Sequence, residues 1–147
     1  MHNSIPNVNG TDRSAIRRGR AIPRVFIVDD QDVIRQGVRH ILENEDQWEV
    51  VGEAANGAEA LKLIPKADPD AIIMDITMPV MNGLDATSEL VRANPSYKIL
   101  ILTMHQGSSF RQSIERSGAK GVLTKAQARD ELTPALKTIL AGQTYFH

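Results

Sequence analysis

The sequence predicts an α/β protein built as an open, doubly wound parallel sheet. Two observations carry this. Short continuous apolar runs alternate five times with stretches of helical periodicity, and turn-forming residues punctuate the chain between them. Apolar runs without polar alternation suit strands buried on both faces, which parallel sheets require. Right-handed crossovers then put helices on both sides of the sheet.

The first run is Val25-Phe26-Ile27-Val28. After it Val33, Ile34, Gly37, Val38, Ile41 and Leu42 recur at helical spacing. The mixed run from Trp48 to Ala54 reads as an outer strand. Ala58, Leu61 and Ile64 mark a second helix, and Ala71-Ile72-Ile73-Met74 a third strand. Leu84, Leu90 and Val91 mark a third helix, and Ile99-Leu100-Ile101-Leu102 a fourth strand. The segment 106–117 has only Phe110 and Ile114 as large apolar anchors, so it is the helix expected to dock least firmly. Gly121-Val122-Leu123 is the last strand, and Leu132, Leu136, Ile139 and Leu140 mark the last helix. Asn56-Gly57, Pro65, Asp68-Pro69, Asn94-Pro95 and Gly118 are read as the breaks between elements.

Length and composition narrow the function. A chain of 147 residues fits one domain, and the absence of cysteine excludes disulfides and thiolate metal sites. Residues 1–24 carry five arginines against Asp12 alone, a net +4, while the rest carries 12 basic and 17 acidic residues, a net −5. Residues 1–22 therefore read as a flexible basic tail and 23–147 as the folded domain. The acidic body speaks against direct nucleic-acid binding by this chain, since the tail alone would give salt-sensitive, sequence-independent attraction. Arg17-Arg18 is not followed by the apolar stretch of an export signal. No apolar run approaches the ~18 residues of a membrane span, so no membrane association and a cytoplasmic location are expected.

In a doubly wound sheet, function gathers at the carboxyl ends of the strands. Asp29-Asp30 follow the first run, Asp75 ends the third, Thr103 follows the fourth, and Lys125 closely follows the fifth. Taken singly, these residues have ordinary explanations. Asp30 or Asp32 would serve as a helix N-cap, Thr103 as a capping hydroxyl, and Lys125 as a solvated charge. Their joint occurrence at four strand ends is what points to a site. Crowded carboxylates repel unless a cation joins them. Oxygen ligands favour a hard ion such as Mg²⁺, which binds carboxylates together with phosphate oxygens. The set suits a phosphoryl group held between metal and ammonium, with a carboxylate as nucleophile. Asp75, after four apolar residues, most needs such partners.

The segments Val28-Asp29-Asp30, Met74 to Gly83, Ile101-Leu102-Thr103 and Gly118 to Lys125 resemble bacterial two-component response-regulator receiver domains, from about residue 24 to the C-terminus. Thr103-Met104-His105 and Ala141 to Phe146 are most similar to the NarL/FixJ (LuxR-type) subfamily. The resemblance implies a flavodoxin-like (CheY-like) five-stranded sheet in the order 2-1-3-4-5. It implies that Asp75 accepts a phosphoryl group from a sensor histidine kinase. It implies that Asp30, Asp75 and the backbone carbonyl of Thr77 bind Mg²⁺ directly, with Asp29 acting mainly through bound water. It implies that Lys125 pairs with the phosphoryl group and that Thr103 hydrogen-bonds one of its oxygens and moves toward it. The chain is then not a conventional enzyme, although it promotes its own Mg²⁺-dependent phosphorylation and dephosphorylation. Output through a switched protein surface, a homodimer formed on phosphorylation and control of transcription also follow from the resemblance. The helix-turn-helix output domain of such relatives is expected to lie outside this chain, which ends just after the fifth helical pattern.

Two positions depart from the family. Val122 stands where relatives often have a switching aromatic ring. Ala126 stands where many have proline after a cis peptide, and a cis bond before alanine costs several kcal/mol more. Pro79 and Gly83 are expected to shape the loop after Asp75, proline by fixing φ and glycine by allowing unusual backbone. His105 is expected to gate or border the site. Two other readings compete. A phosphorylation-independent protein-binding module would keep the fold without the switch, and Val122 favours it. A phosphohydrolase is disfavoured, because Asp68-Pro69-Asp70 precedes a strand and so lies at the wrong end of the sheet.

Overall fold

A computed structural model describes residues 22–45, 47–104 and 110–146. The five strands are β1 (Arg24–Val28), β2 (Glu49–Ala54), β3 (Ala71–Asp75), β4 (Lys98–Thr103) and β5 (Gly121–Thr124). The helices are α1 (Asp32–Glu43), α2 (Gly57–Ala67), α3 (Gly83–Ala93), α4 (Arg111–Ser117) and α5 (Ala128–Leu140), with a 3₁₀ turn over Lys125–Gln127. All strand pairs are parallel, in the order β2-β1-β3-β4-β5. The mixed run from Trp48 thus becomes the edge strand β2. No helix among the described residues is long and apolar enough to cross a membrane.

Successive strand residues face opposite sides, which divides the core in two. Ile27, Ile73, Leu100 and Leu102 pack with Val38 and Leu42 of α1 and with Leu132, Leu136 and Ile139 of α5. Phe26, Ile72, Met74 and Ile101 pack on the other side with Ile64 of α2, Leu90 of α3 and Ile114 of α4. Each fully buried side chain of this size stabilises by roughly 1.5–3 kcal/mol. That is why β1, β3 and β4, apolar on both faces, fix the sheet and hold its carboxyl ends at one rim.

The helices depart from the expectations in three places. Pro65 lies inside α2 rather than between elements. It sits in the last turn, and the amide of Asp68 still closes that turn by donating to Ile64 O at 2.8 Å. Val33, read as part of the apolar stripe of α1, is 70% exposed. Phe110 is no anchor for α4 either, being 43% exposed, so the helix docks mainly through Ile114. The described part of that helix begins at Arg111, and 105–109 lie outside the described residues, as does the basic tail up to residue 21. No peptide bond among the described residues is cis, including that before Ala126.

Beyond α5 the chain turns back. The amide of Tyr145 donates to Lys120 O at 2.8 Å, and the amide of Val122 donates to Tyr145 O at 3.1 Å. This parallel bridge covers the outer edge of β5 and brings Phe146 beneath the guanidinium of Arg111, 5.0 Å from the ring centre.

Candidate functional site: an acidic rim with a buried lysine

Asp29 is the first residue beyond β1, and its polar groups are held by three neighbouring segments. Its amide donates to Ala54 O at the end of β2, 3.1 Å away, so the sheet pattern continues one residue past the strand. Its Oδ1 accepts from the amide of Gln31 at 2.9 Å. Its carbonyl accepts from Arg35 Nη1 in α1. Asp30 faces solvent, whereas Asp29 is buried. Gln31, not Asp30 or Asp32, occupies the cap position of α1, and its side chain makes no capping bond. The capping explanation for the two acids therefore does not apply.

Asp75 ends β3 and is 5% exposed. Its register partner on β4 is Leu102, and Thr103 pairs one step further with Thr124 of β5. Thr103 is the last residue of β4 rather than the residue after it, and it is buried. Lys125 opens the 3₁₀ turn directly after β5. A capping box fixes that turn: Thr124 Oγ1 accepts from the amide of Gln127 at 3.2 Å, and Gln127 Oε1 accepts from the amide of Thr124 at 2.9 Å. With its backbone held, Lys125 reaches inward until Nζ is 2.9 Å from Asp29 Oδ2 and 3.4 Å from Asp75 Oδ1.

The carboxylates of Asp29, Asp30 and Asp75 offer oxygens that all lie within 4.8 Å of one another. Burial, and next the charge of Asp29, push the Asp75 carboxyl up to about 6, with the ammonium of Lys125 opposing both. One lysine thus compensates only part of the crowded negative charge. Asp29 Oδ2 is buried and receives no directed hydrogen bond, its contact with Lys125 being ionic. An all-oxygen donor set and excess negative charge, which Lys125 offsets only in part, together fit a hard divalent cation. Thr77 lies two residues beyond Asp75 in the connecting loop and is exposed. His105 lies outside the described residues.

The loop after Asp75 is shaped differently from the expectation. Gly83 does not have positive φ. It is required for space, because a Cβ there would stand 1.8 Å from Asp75 O. Its amide donates to Ile76 O at 2.8 Å, folding the loop back under the site. The unusual backbone belongs to Val80, at φ +68° and 82% exposed. Met81 N–H donates to Pro79 O across it at 2.7 Å, closing a tight three-residue turn.

Sequence reasoning passed over Arg35 and the Thr124–Gln127 box. The box has a legible signature, threonine followed three residues later by glutamine. For Arg35 only the Asp32 partner, three residues earlier on the same helix, is legible, since Asp29 O and Glu53 come from other segments.

The comparisons with known proteins agree with this geometry. Residues 25–137 match the family model for the response regulator receiver domain. The transcriptional regulatory protein DegU of Brevibacillus brevis is 38% identical over 124 residues, which is 84% of this chain and 52% of that protein. The chain spans about half the length of the curated relatives it matches. A LuxR-family two-component response regulator from Aurantimonas sp. SI85-9A1 superposes with a TM-score of 0.81 at 38% identity, covering 84% of this chain and 89% of that one. The isolated REC domain of RcsB from Salmonella enterica serovar Typhimurium, in the presence of the phosphomimetic BeF3-, gives a TM-score of 0.78 at 26% identity over 86% and 94% of the two chains. A CheY-like sheet in this strand order, an acidic rim and these relatives lead to one conclusion: the chain belongs to the response regulator receiver domain family, on its LuxR/NarL-type branch.

Proposed function

We propose that Asp75 accepts a phosphoryl group from a phosphohistidine on a sensor histidine kinase. The observation that carries this is the ammonium of Lys125 lying between Asp29 and Asp75, at 2.9 and 3.4 Å. An Asp75 oxygen attacks phosphorus as the phosphorus–nitrogen bond of the donor breaks. The imidazole nitrogen leaves with the bonding pair and takes up a proton. Lys125 neutralises the arriving phosphoryl oxygens, and Thr103, level with Thr124 across the sheet, hydrogen-bonds one of them.

Asp30, Asp75 and the Thr77 carbonyl would hold Mg²⁺ directly, with Asp29 contributing through water. Bound there, the ion supplies charge neutralisation and orients the phosphoryl group for in-line transfer. Asp29 suits the indirect role because its Oδ1 is already engaged by the Gln31 amide. With Asp75 pushed up to about 6, the carboxylate form prevails at neutral pH and is available as nucleophile.

Residues 23–147 form the receiver unit on this reading, preceded by the basic tail of 1–22. Transfer and loss of the phosphoryl group on Asp75 switch a protein surface, with homodimer formation and transcriptional control as the output of the whole regulator in the cytoplasm. The complete acidic set with Lys125 speaks against a phosphorylation-independent module.

The test is labelling by acetyl phosphate, or spectral response to beryllofluoride, with and without Mg²⁺. A Mg²⁺-dependent response that disappears in Asp75→Asn is the expected result. A full response in that variant rejects the assignment.

A further inference from the structure

Arg35 sits on the second turn of α1 with its side chain 16% exposed. Its guanidinium spreads over three acceptors from three segments. Nη1 donates to the carbonyl of Asp29, Nε donates to Glu53 Oε1 on β2 at 2.9 Å, and Nη2 donates to Asp32 Oδ1. Glu53 is itself held from the other side by Arg39 Nε at 2.9 Å. Burial pushes the Glu53 carboxyl up, but the bonds from Arg39 and Arg35 outweigh it, so its proton affinity falls below the ordinary carboxylate range. The outer clamp is therefore charged on both sides at neutral pH.

The carbonyl that Arg35 grips belongs to the peptide joining Asp29 to Asp30. Asp30 is exposed, with a carboxylate oxygen within 4.8 Å of those of Asp29 and Asp75, so the position from which its side chain reaches the site is set by this backbone. That backbone is fixed at the Asp29 amide by Ala54 O, at the Asp29 carbonyl by Arg35 and beyond Asp30 by the Gln31 amide, which donates to Asp29 Oδ1. Loss of the Arg35 bond releases the carbonyl of the Asp29–Asp30 peptide, so that plane tilts between its remaining tethers and carries Asp30 with it. Arg35 carries two carboxylate partners of its own, so its contribution is orientation rather than charge.

We infer that Arg35 is a positioning residue for the cation site: by holding the Asp29–Asp30 peptide against α1 and β2, it aims the Asp30 carboxylate at the oxygens of Asp29 and Asp75. This rests on the Mg²⁺ site proposed above. Groups that orient metal ligands typically influence affinity by about 10–100-fold.

The experiment is calorimetric titration of Mg²⁺ into the full chain, with urea unfolding of each variant in metal-free buffer. Arg35→Ala is expected to weaken Mg²⁺ binding about tenfold. Arg39→Ala, which breaks the same Glu53 clamp without touching the Asp29 carbonyl, is expected to lose stability yet keep its Mg²⁺ affinity within about twofold. If Arg35→Ala does not fold, Arg35→Met keeps the packing of the stem without any donor, and the same tenfold loss is expected. Unchanged affinity in a folded Arg35 variant overturns the inference. An equal loss in Arg39→Ala also overturns it, because general loosening of α1 would then suffice. Absence of Mg²⁺ binding by the unaltered chain is a separate outcome and removes the metal site itself.

Discussion

Gly83 lies against the backbone of Asp75 so closely that a Cβ would come within 1.8 Å of Asp75 O and 2.9 Å of Met74 Cγ. Both obstacles belong to β3, whose residues are all buried, so neither can yield cheaply. Gly83→Ala should cost at least about 2–3 kcal/mol, the upper range for overpacking. Urea unfolding measures this. A variant as stable as the natural sequence would mean that the loop shifts freely.

Val80 presents the opposite case. A β-branched residue at φ +68° is strained, and 82% exposure leaves it little burial to lose. Asparagine tolerates this backbone better. Val80→Asn should therefore stabilise by about 0.5–1 kcal/mol, read as a higher urea midpoint with an unchanged slope. A lower midpoint would show that the valine side chain has a compensating contact.

The pH dependence of stability follows from Asp75. Its folded value of about 6 lies above the ordinary 3.8. Below 3.8 the carboxyl is protonated in both states. As pH rises from there through 6, the unfolded chain releases the proton first, and stability falls. By neutral pH the penalty is roughly 3 kcal/mol. Asp75→Asn should lack this decline, and saturating Mg²⁺ at pH 7.5 should remove most of it from the unaltered chain. Parallel pH profiles of the two proteins in metal-free buffer would exclude the effect.

The capping box predicts a paired loss. Thr124→Ala removes the acceptor for the Gln127 amide and should cost about 1 kcal/mol. It should also slow acetyl phosphate labelling several-fold, because Lys125 opens the turn that the box holds. Thr124→Ser, which keeps the hydroxyl, should restore both. Normal labelling in the alanine variant would show that β5 alone places the lysine.

Most of the fold was legible because β1, β3 and β4 are buried on both faces, and such strands show themselves as unbroken apolar runs. The rim was legible for the same reason: the residue that follows a run must emerge at the carboxyl end of the sheet. Other features depend on distant partners. Val33 matches the helical period but faces solvent, since periodicity defines a stripe without fixing its edges. Pro65 resembled a break, yet α2 runs two residues past it and closes through the Asp68 amide on Ile64 O, although proline has no amide to offer Leu61 O. Gly83 was recognised as necessary for the wrong reason, because crowding against Asp75 arises only in three dimensions. Val80 gave no signal, as a left-handed turn is normally announced by glycine or asparagine. The return of Tyr145 to β5 was invisible in a segment too short for any period.

The strand register has a further consequence. Asp75 is level with Leu102, and Thr103 is level with Thr124, the neighbour of Lys125, so acid and hydroxyl end two adjoining, mutually bonded strands and the amine follows directly on the third. Backbone amides in β3 and β4 should then be among the last to exchange with deuterium, and the pocket should survive every fluctuation short of global opening. Fraying at the ends of the molecule can come and go without disarming it.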